Sequence, residues 1–117
     1  MMRHLKEKEF LAPLRVGDIN LNYETRRITR SGRIIHVSPI EFRLLKCLME
    51  KPGRILSRAQ LLEMVWGPTE IDVRTVDTHI SQLRKALSAD GEMDPIKTAR
   101  GCGYCLVETS RRRTEST

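Results

Sequence analysis

No stretch of the 117 residues approaches the roughly 18 consecutive apolar side chains that a membrane span requires. The opening Met1-Met2-Arg3-His4-Leu5-Lys6-Glu7-Lys8 is charged where a secretory leader needs an apolar core, so a cytoplasmic location is expected. Cysteine is scarce and odd in number. Cys47, Cys102 and Cys105 do not make the paired framework of a small secreted domain. Acid is short relative to base, 15 Asp and Glu against 21 Lys and Arg, for a net charge of +6. Such a surface favours polyanions, although many basic proteins bind none. The excess lies in residues 1–37 and, more weakly, from 74 onward. The stretch 38–73 is balanced and is the expected site of the packed helical core. No internal repeat or low-complexity tract is visible, and the length suits one domain with one modest core.

Residues 1–14 lack periodicity and contain Pro13, and read as a linker or flexible lead-in. A single domain is expected over 15–108, followed by a flexible basic tail over 109–117. From Val16 to Val37 the texture is that of short strands. "DINLN" alternates, "RRITR" and "RIIHV" flank the turn dipeptide Ser31-Gly32, and Arg and Asn alternate with the apolar residues. A small antiparallel sheet with its arginines on a wet face is the expectation.

The period then changes to that of a helix. "SPIEFRLLKCLMEKPG" starts with Ser38 as N-cap, Pro39 in the first turn and Glu41 closing a capping box, with Val37 and Phe42 as the staple. Phe42, Leu45, Leu48 and Met49 mark its buried stripe, and Pro52-Gly53 ends it. The same signals recur in "LSRAQLLEMVWGP", where Ser57 and Gln60 form the box, Leu56 and Leu61 the staple, and Gly67-Pro68 the stop. A third helix, "RTVDTHISQLRKALSADG", is expected to be capped by Asp72. Its Val76, Ile80, Leu83 and Leu87 fall within roughly 60° of one another at 100° per residue. Arg74, Thr78, Ser81, Gln82 and Lys85 occupy the opposite face, which carries no carboxylate. That pattern fits either contact with an anion or a plain solvated face. Two short strands, 96–99 and 104–107, surround "RGCG".

Cys102 and Cys105 spell C-x-x-C. A redox dithiol needs its first Cys at a helix N-terminus, and no amphipathic helix follows here. Zinc needs four ligands, usually from two such pairs, and Cys47, His36 and His79 are isolated on separate segments. Catalytic residues, metal ligands and cofactors are therefore not expected. The segment suits a tight hairpin in which glycine allows close backbone approach and Arg100 forms a charged tip. Such a tip fits a narrow, electronegative minor groove; a hairpin that merely closes a sheet is the plainer alternative.

Taken together, "SPIEFRLLKCLMEKPGRILSRAQLLEMVWG", "VRTVDTHISQLRKAL" and "DPIKTARGCGYCLV" resemble the C-terminal DNA-binding domain of OmpR/PhoB-type two-component response regulators, nearest to the phosphate-regulon branch. The resemblance runs from about Val16 to Val107. It implies an α+β winged helix-turn-helix: an N-terminal four-stranded antiparallel sheet, three helices and a C-terminal β-hairpin wing. It implies further that Arg74, Thr75, Thr78, His79, Ser81, Gln82, Arg84 and Lys85 face DNA and that Arg100 enters the minor groove. Arg58, Trp66, Thr98 and Tyr104 match phosphate-contacting positions. The loop Gly67, Pro68, Thr69, Glu70, Ile71, Asp72 and Val73 matches the segment that meets RNA polymerase. Ser81 and Gln82 stand where basic residues are common in the family, so fewer charge contacts are expected there. The implied partners are double-stranded DNA with direct repeats, bound by a dimer or tandem pair, RNA polymerase, and a receiver domain not found in these residues. The implied role is transcription regulation. A winged-helix protein-interaction module without DNA binding is the alternative.

Overall fold

The structure, a computed structural model, describes residues 12–109. Among the described residues four strands come first: β1 (Leu14–Val16), β2 (Ile19–Asn22), β3 (Arg27–Arg30) and β4 (Arg33–Ile35). They form an antiparallel meander in the order β1-β2-β3-β4. The registers Val16↔Ile19, Leu21↔Ile28 and Ile28↔Ile35 align the apolar residues on one face. Ser31 and Gly32 both take positive φ, 51° and 84°, as a two-residue β-hairpin turn of the favoured twist requires. β1 begins at Leu14, the last residue of the expected lead-in; residues 1–11 of that lead-in and 110–117 of the expected tail lie outside the described residues.

Three helices follow: α1 (Pro39–Glu50), α2 (Arg58–Trp66) and α3 (Arg74–Leu87). Both capping boxes form as the sequence predicts, Ser38 with Glu41 and Ser57 with Gln60. Phe42, Leu45, Leu48 and Met49 of α1 meet Leu61, Leu62 and Val65 of α2 and the Val76, Ile80, Leu83, Leu87 stripe of α3 in one core. The inner face of the sheet closes that core from the other side. The expected cap of α3 is displaced by one residue. Val73 is the N-cap and its hydrocarbon side chain can make no cap bond; Asp72, one residue earlier, accepts from the Arg74 amide at Oδ1 at 2.8 Å.

A hairpin of β5 (Ile96–Ala99) and β6 (Gly103–Leu106) follows. It is anchored by Leu56, whose amide donates to the Tyr104 carbonyl at 2.8 Å while the Tyr104 amide donates back at 3.0 Å. A Cβ at Gly103 would lie 2.1 Å from the Leu56 carbonyl oxygen, so glycine is what allows the two backbones to meet.

One expectation about the sheet is overturned. Arg30 is not on the wet face; it is 0% exposed. Strand side chains alternate, so Arg30, two residues from buried Ile28, must point inward with it. All three guanidinium nitrogens donate there, through four hydrogen bonds. Nε donates to Asp18 Oδ1 at 3.0 Å, one terminal nitrogen to the Leu87 carbonyl at 2.9 Å, and the other to the Met93 carbonyl at 2.7 Å and Thr109 Oγ1 at 2.9 Å. Arg33 adds an ion pair to Glu92 at 2.6 Å. Burial alone would raise the Glu92 carboxyl; Arg33 and the Asp90 amide outweigh it and hold the group below its usual range. Arg30→Met should lower unfolding stability by about 3–5 kcal/mol, because it strands a carboxylate and two buried carbonyls together. Urea denaturation beside the exposed Arg15→Met, expected within about 0.5 kcal/mol of the unaltered protein, checks this.

Candidate nucleic-acid interface

The outer face of α3 presents Arg74, Thr78, Ser81, Gln82 and Lys85, all exposed. It is a row of donors and hydroxyls at helical spacing, held rigid by the buried stripe behind it. At the start of the helix, Arg74 donates to Asp72 Oδ2 from Nε at 3.1 Å and from a terminal nitrogen at 2.8 Å. These bonds, with the Arg74 amide, pull the Asp72 carboxyl down to about 2. The pair stands in solvent, where ion pairs stabilise little, so another anion can replace Asp72 around Arg74.

The wing is tied to α3 by two side chains. Arg84 donates to the Ile96 carbonyl at 2.9 Å and to Thr98 Oγ1 at 2.7 Å. Its Nε lies 3.1 Å from Asp94, and its guanidinium stacks 5.4 Å from the Tyr104 ring centre. Asp77 is the second tie. The Tyr104 hydroxyl donates to its Oδ1 at 2.6 Å, and Arg58 Nε sits 3.3 Å from the same oxygen. Burial, reinforced by Asp77, pushes the Tyr104 hydroxyl up to about 12, so the phenol stays protonated. At the far end Arg100, Gly101 and Cys102 form the turn, closed by the Cys102 amide donating to the Ala99 carbonyl at 2.7 Å. Gly101 takes φ 76° and Arg100 is exposed at the tip.

These pieces border one concavity. An open groove of about 350 Å³ is lined by Ser57 and Arg58 from the start of α2, Val73 from the start of α3, and Thr98, Gly101 and Tyr104 from the wing. The N-terminal ends of two helices and a hairpin tip thus face the same space. His79 and Trp66 form a separate group, their ring centroids 5.6 Å apart. Thr75 is half-buried, its amide donating to the Asp72 carbonyl at 3.0 Å. The loop from Gly67 to Val73 is mostly exposed, including Ile71 at 42%. Cys47 is buried in α1, where burial pushes its thiol up; Cys102 is exposed in the turn and Cys105 half-buried on β6, so a strand and not a helix follows Cys102.

With this geometry in place, residues 32–106 match the family described as "Transcriptional regulatory protein, C terminal". The chain belongs to the OmpR/PhoB family of response regulators. Among curated proteins it is 49% identical over 107 residues to the phosphate regulon transcriptional regulatory protein PhoB of Rhizobium meliloti, covering 91% of this chain and 47% of that protein. It is 46% identical over 98 residues to the transcriptional regulatory protein TrcR of Mycobacterium tuberculosis, covering 80% and 36%. The chain therefore spans about half the length, or less, of these curated relatives. Among solved structures, the Klebsiella pneumoniae RstA DNA-binding domain in complex with the RstA box matches at TM-score 0.72 and 32% identity, covering 81% of this chain and 96% of that one. The DNA-binding domain of CpxR from Escherichia coli matches at 0.71 and 32%, covering 84% and 98%.

Within this OmpR/PhoB domain, several residues that position the interface escape a linear reading. Asp77, Asp94, Glu92 and Arg30 each act on a partner far along the chain, as Asp77 does on Tyr104, and no local spacing marks them. Arg84 shares its donors with the wing, which assigns it a holding role beside any DNA contact. Gly103→Ala should undock the wing and cost at least about 2 kcal/mol through backbone strain and overlap with Leu56. Faster amide hydrogen exchange at Leu56 and Tyr104 is the expected readout.

Proposed function

We propose that this effector domain of a bacterial response regulator lays α3 in the major groove and sets the Arg100 tip of the wing in the neighbouring minor groove. The observation that carries this reading is the shared groove, in which the start of α3, the start of α2 and the wing turn converge. Arg74 and Gln82 donate to base edges and Thr78 offers its methyl to thymine. Arg58, Trp66, Thr75, His79, Ser81, Arg84, Lys85, Thr98 and Tyr104 meet the backbone or the groove walls, which fixes register without reading sequence. The similarity to phosphate-regulon regulators supports phosphate-responsive genes as targets. Direct repeats are bound by a dimer or tandem pair, and the receiver domain and RNA polymerase are the protein partners. The exposed Gly67–Val73 loop, with Ile71 at its surface, is the surface offered to polymerase. The cytoplasm is where such a regulator acts.

Selection from a random DNA pool at fixed salt should return direct repeats. The logarithm of affinity for them should fall steeply with the logarithm of salt, as release of counterions from several phosphates demands. A protein-interaction module would show no such slope. Arg100→Ala should lose about 1–3 kcal/mol in specific binding, chiefly at A·T-rich minor-groove positions. Gln82→Ala should relax preference at one major-groove step. Unchanged affinity and selectivity for both substitutions would remove the docking.

A further inference from the structure

The two capping boxes of this chain are built alike, yet they differ in charge. In α2 the Ser57 amide donates to Gln60 Oε1 at 2.8 Å, and the Gln60 amide donates to Ser57 Oγ at 3.0 Å. In α1 the Ser38 amide donates to Glu41 Oε1 at 3.0 Å, and the Glu41 amide donates to Ser38 Oγ at 3.2 Å. The neutral box at α2 shows that the motif does not require an acid. The second oxygen of Glu41 has a different neighbour, His79 Nδ1 at 3.9 Å, and Glu41 is only 12% exposed. Nδ1 is itself buried and has no hydrogen-bond partner, so the 30% exposure of the His79 side chain lies at its other atoms.

We propose that Glu41 is a positioning residue for DNA binding, holding His79 as the doubly protonated imidazolium that donates to a phosphate. This rests on the reading of His79 as a DNA contact. A carboxylate behind Nδ1 favours a proton there. In a neutral imidazole that leaves the other nitrogen an acceptor, which cannot donate to a phosphate oxygen. Contact with phosphate therefore requires a second proton, and the cation so formed lies between two anions and beside the Trp66 ring. The groups around His79 offer little competition. Glu41 faces it from α1 and the uncharged Trp66 from α2, and one turn away on α3 stand Thr75, Val76, Gln82 and Leu83, none of which titrates. Since the bound form holds more protons than the free form, affinity is greatest at low pH and declines as pH rises.

Affinity for a short mixed-sequence DNA duplex, measured at constant salt from pH 6 to 8.5, should fall about tenfold across that range. His79→Gln should bind more weakly at pH 6 with a nearly flat profile. Glu41→Gln, which keeps the box in the manner of Gln60, should unfold at a similar urea concentration and still flatten the profile. Calorimetry of the unaltered protein in two buffers of different ionisation enthalpy should show proton uptake on binding, a readout that needs no variant. Salt-independent or absent DNA binding would defeat the functional reading itself. Salt-dependent binding without proton uptake, or with the pH slope intact in either variant, would overturn the role of Glu41 and leave DNA binding standing.

Discussion

A guanidinium removed from water is expensive unless every donor finds an acceptor, and in this domain the acceptors of Arg30 come from four separate parts of the chain. Asp18 lies in the β1–β2 turn, Leu87 closes α3, Met93 precedes β5, and Thr109 follows β6. The sheet, α3 and both flanks of the wing are thus joined at one buried cation. The position is apt electrostatically as well, since the last carbonyls of a helix carry partial negative charge. A cation placed there satisfies an orphan carbonyl of α3 and pins the end of the helix remote from Arg74. The N-terminal meander accordingly shapes the candidate interface from behind, through α3 and the wing.

Along its flank α3 is steered by the wing. Arg84 and Asp77 leave its flank to hold β5 and β6, while the five exposed residues on the outer face remain available. One helix therefore presents three faces: a stripe in the core, a flank clamping the hairpin, and an exposed row of donors proposed to meet the duplex. The clamp sets the spacing between the helix and Arg100, and that spacing decides whether a single double helix can touch both. The free domain already pairs two of the proposed contact residues internally. Arg74 rests on Asp72, and the Tyr104 hydroxyl donates a hydrogen bond to Asp77. In the proposed docking, binding is in part an exchange of anions, carboxylate for phosphate, which would limit the gain from each contact and make the fit of the whole set matter more than any one charge.

Local signals made most of the scaffold legible. Capping boxes, staples and glycine stops are interactions within a few residues, so Ser38, Glu41, Ser57, Gln60 and Gly67 could be placed before any coordinates, and the 3.6-residue period marked the buried stripe of α3. The exposed donors of that helix followed from the same period. Asp72 was misplaced by one residue because an aspartate can accept from its own neighbours in either a cap or a turn, and spacing does not separate the two.

What escaped was everything whose partner is distant in sequence. Arg30 looks like a surface residue because charge is normally solvated, and its burial becomes tolerable only when Leu87, Met93 and Thr109 arrive from the other end of the chain. The same holds for the pairing of Asp77 with Tyr104 and for the approach of Glu41 to His79. Sequence by itself determined which segments are helix, strand and turn and which faces are apolar, since those depend on short-range hydrogen bonding and periodicity. Tertiary structure alone decided which polar groups lose water together, because that cost is set by neighbours that only folding supplies.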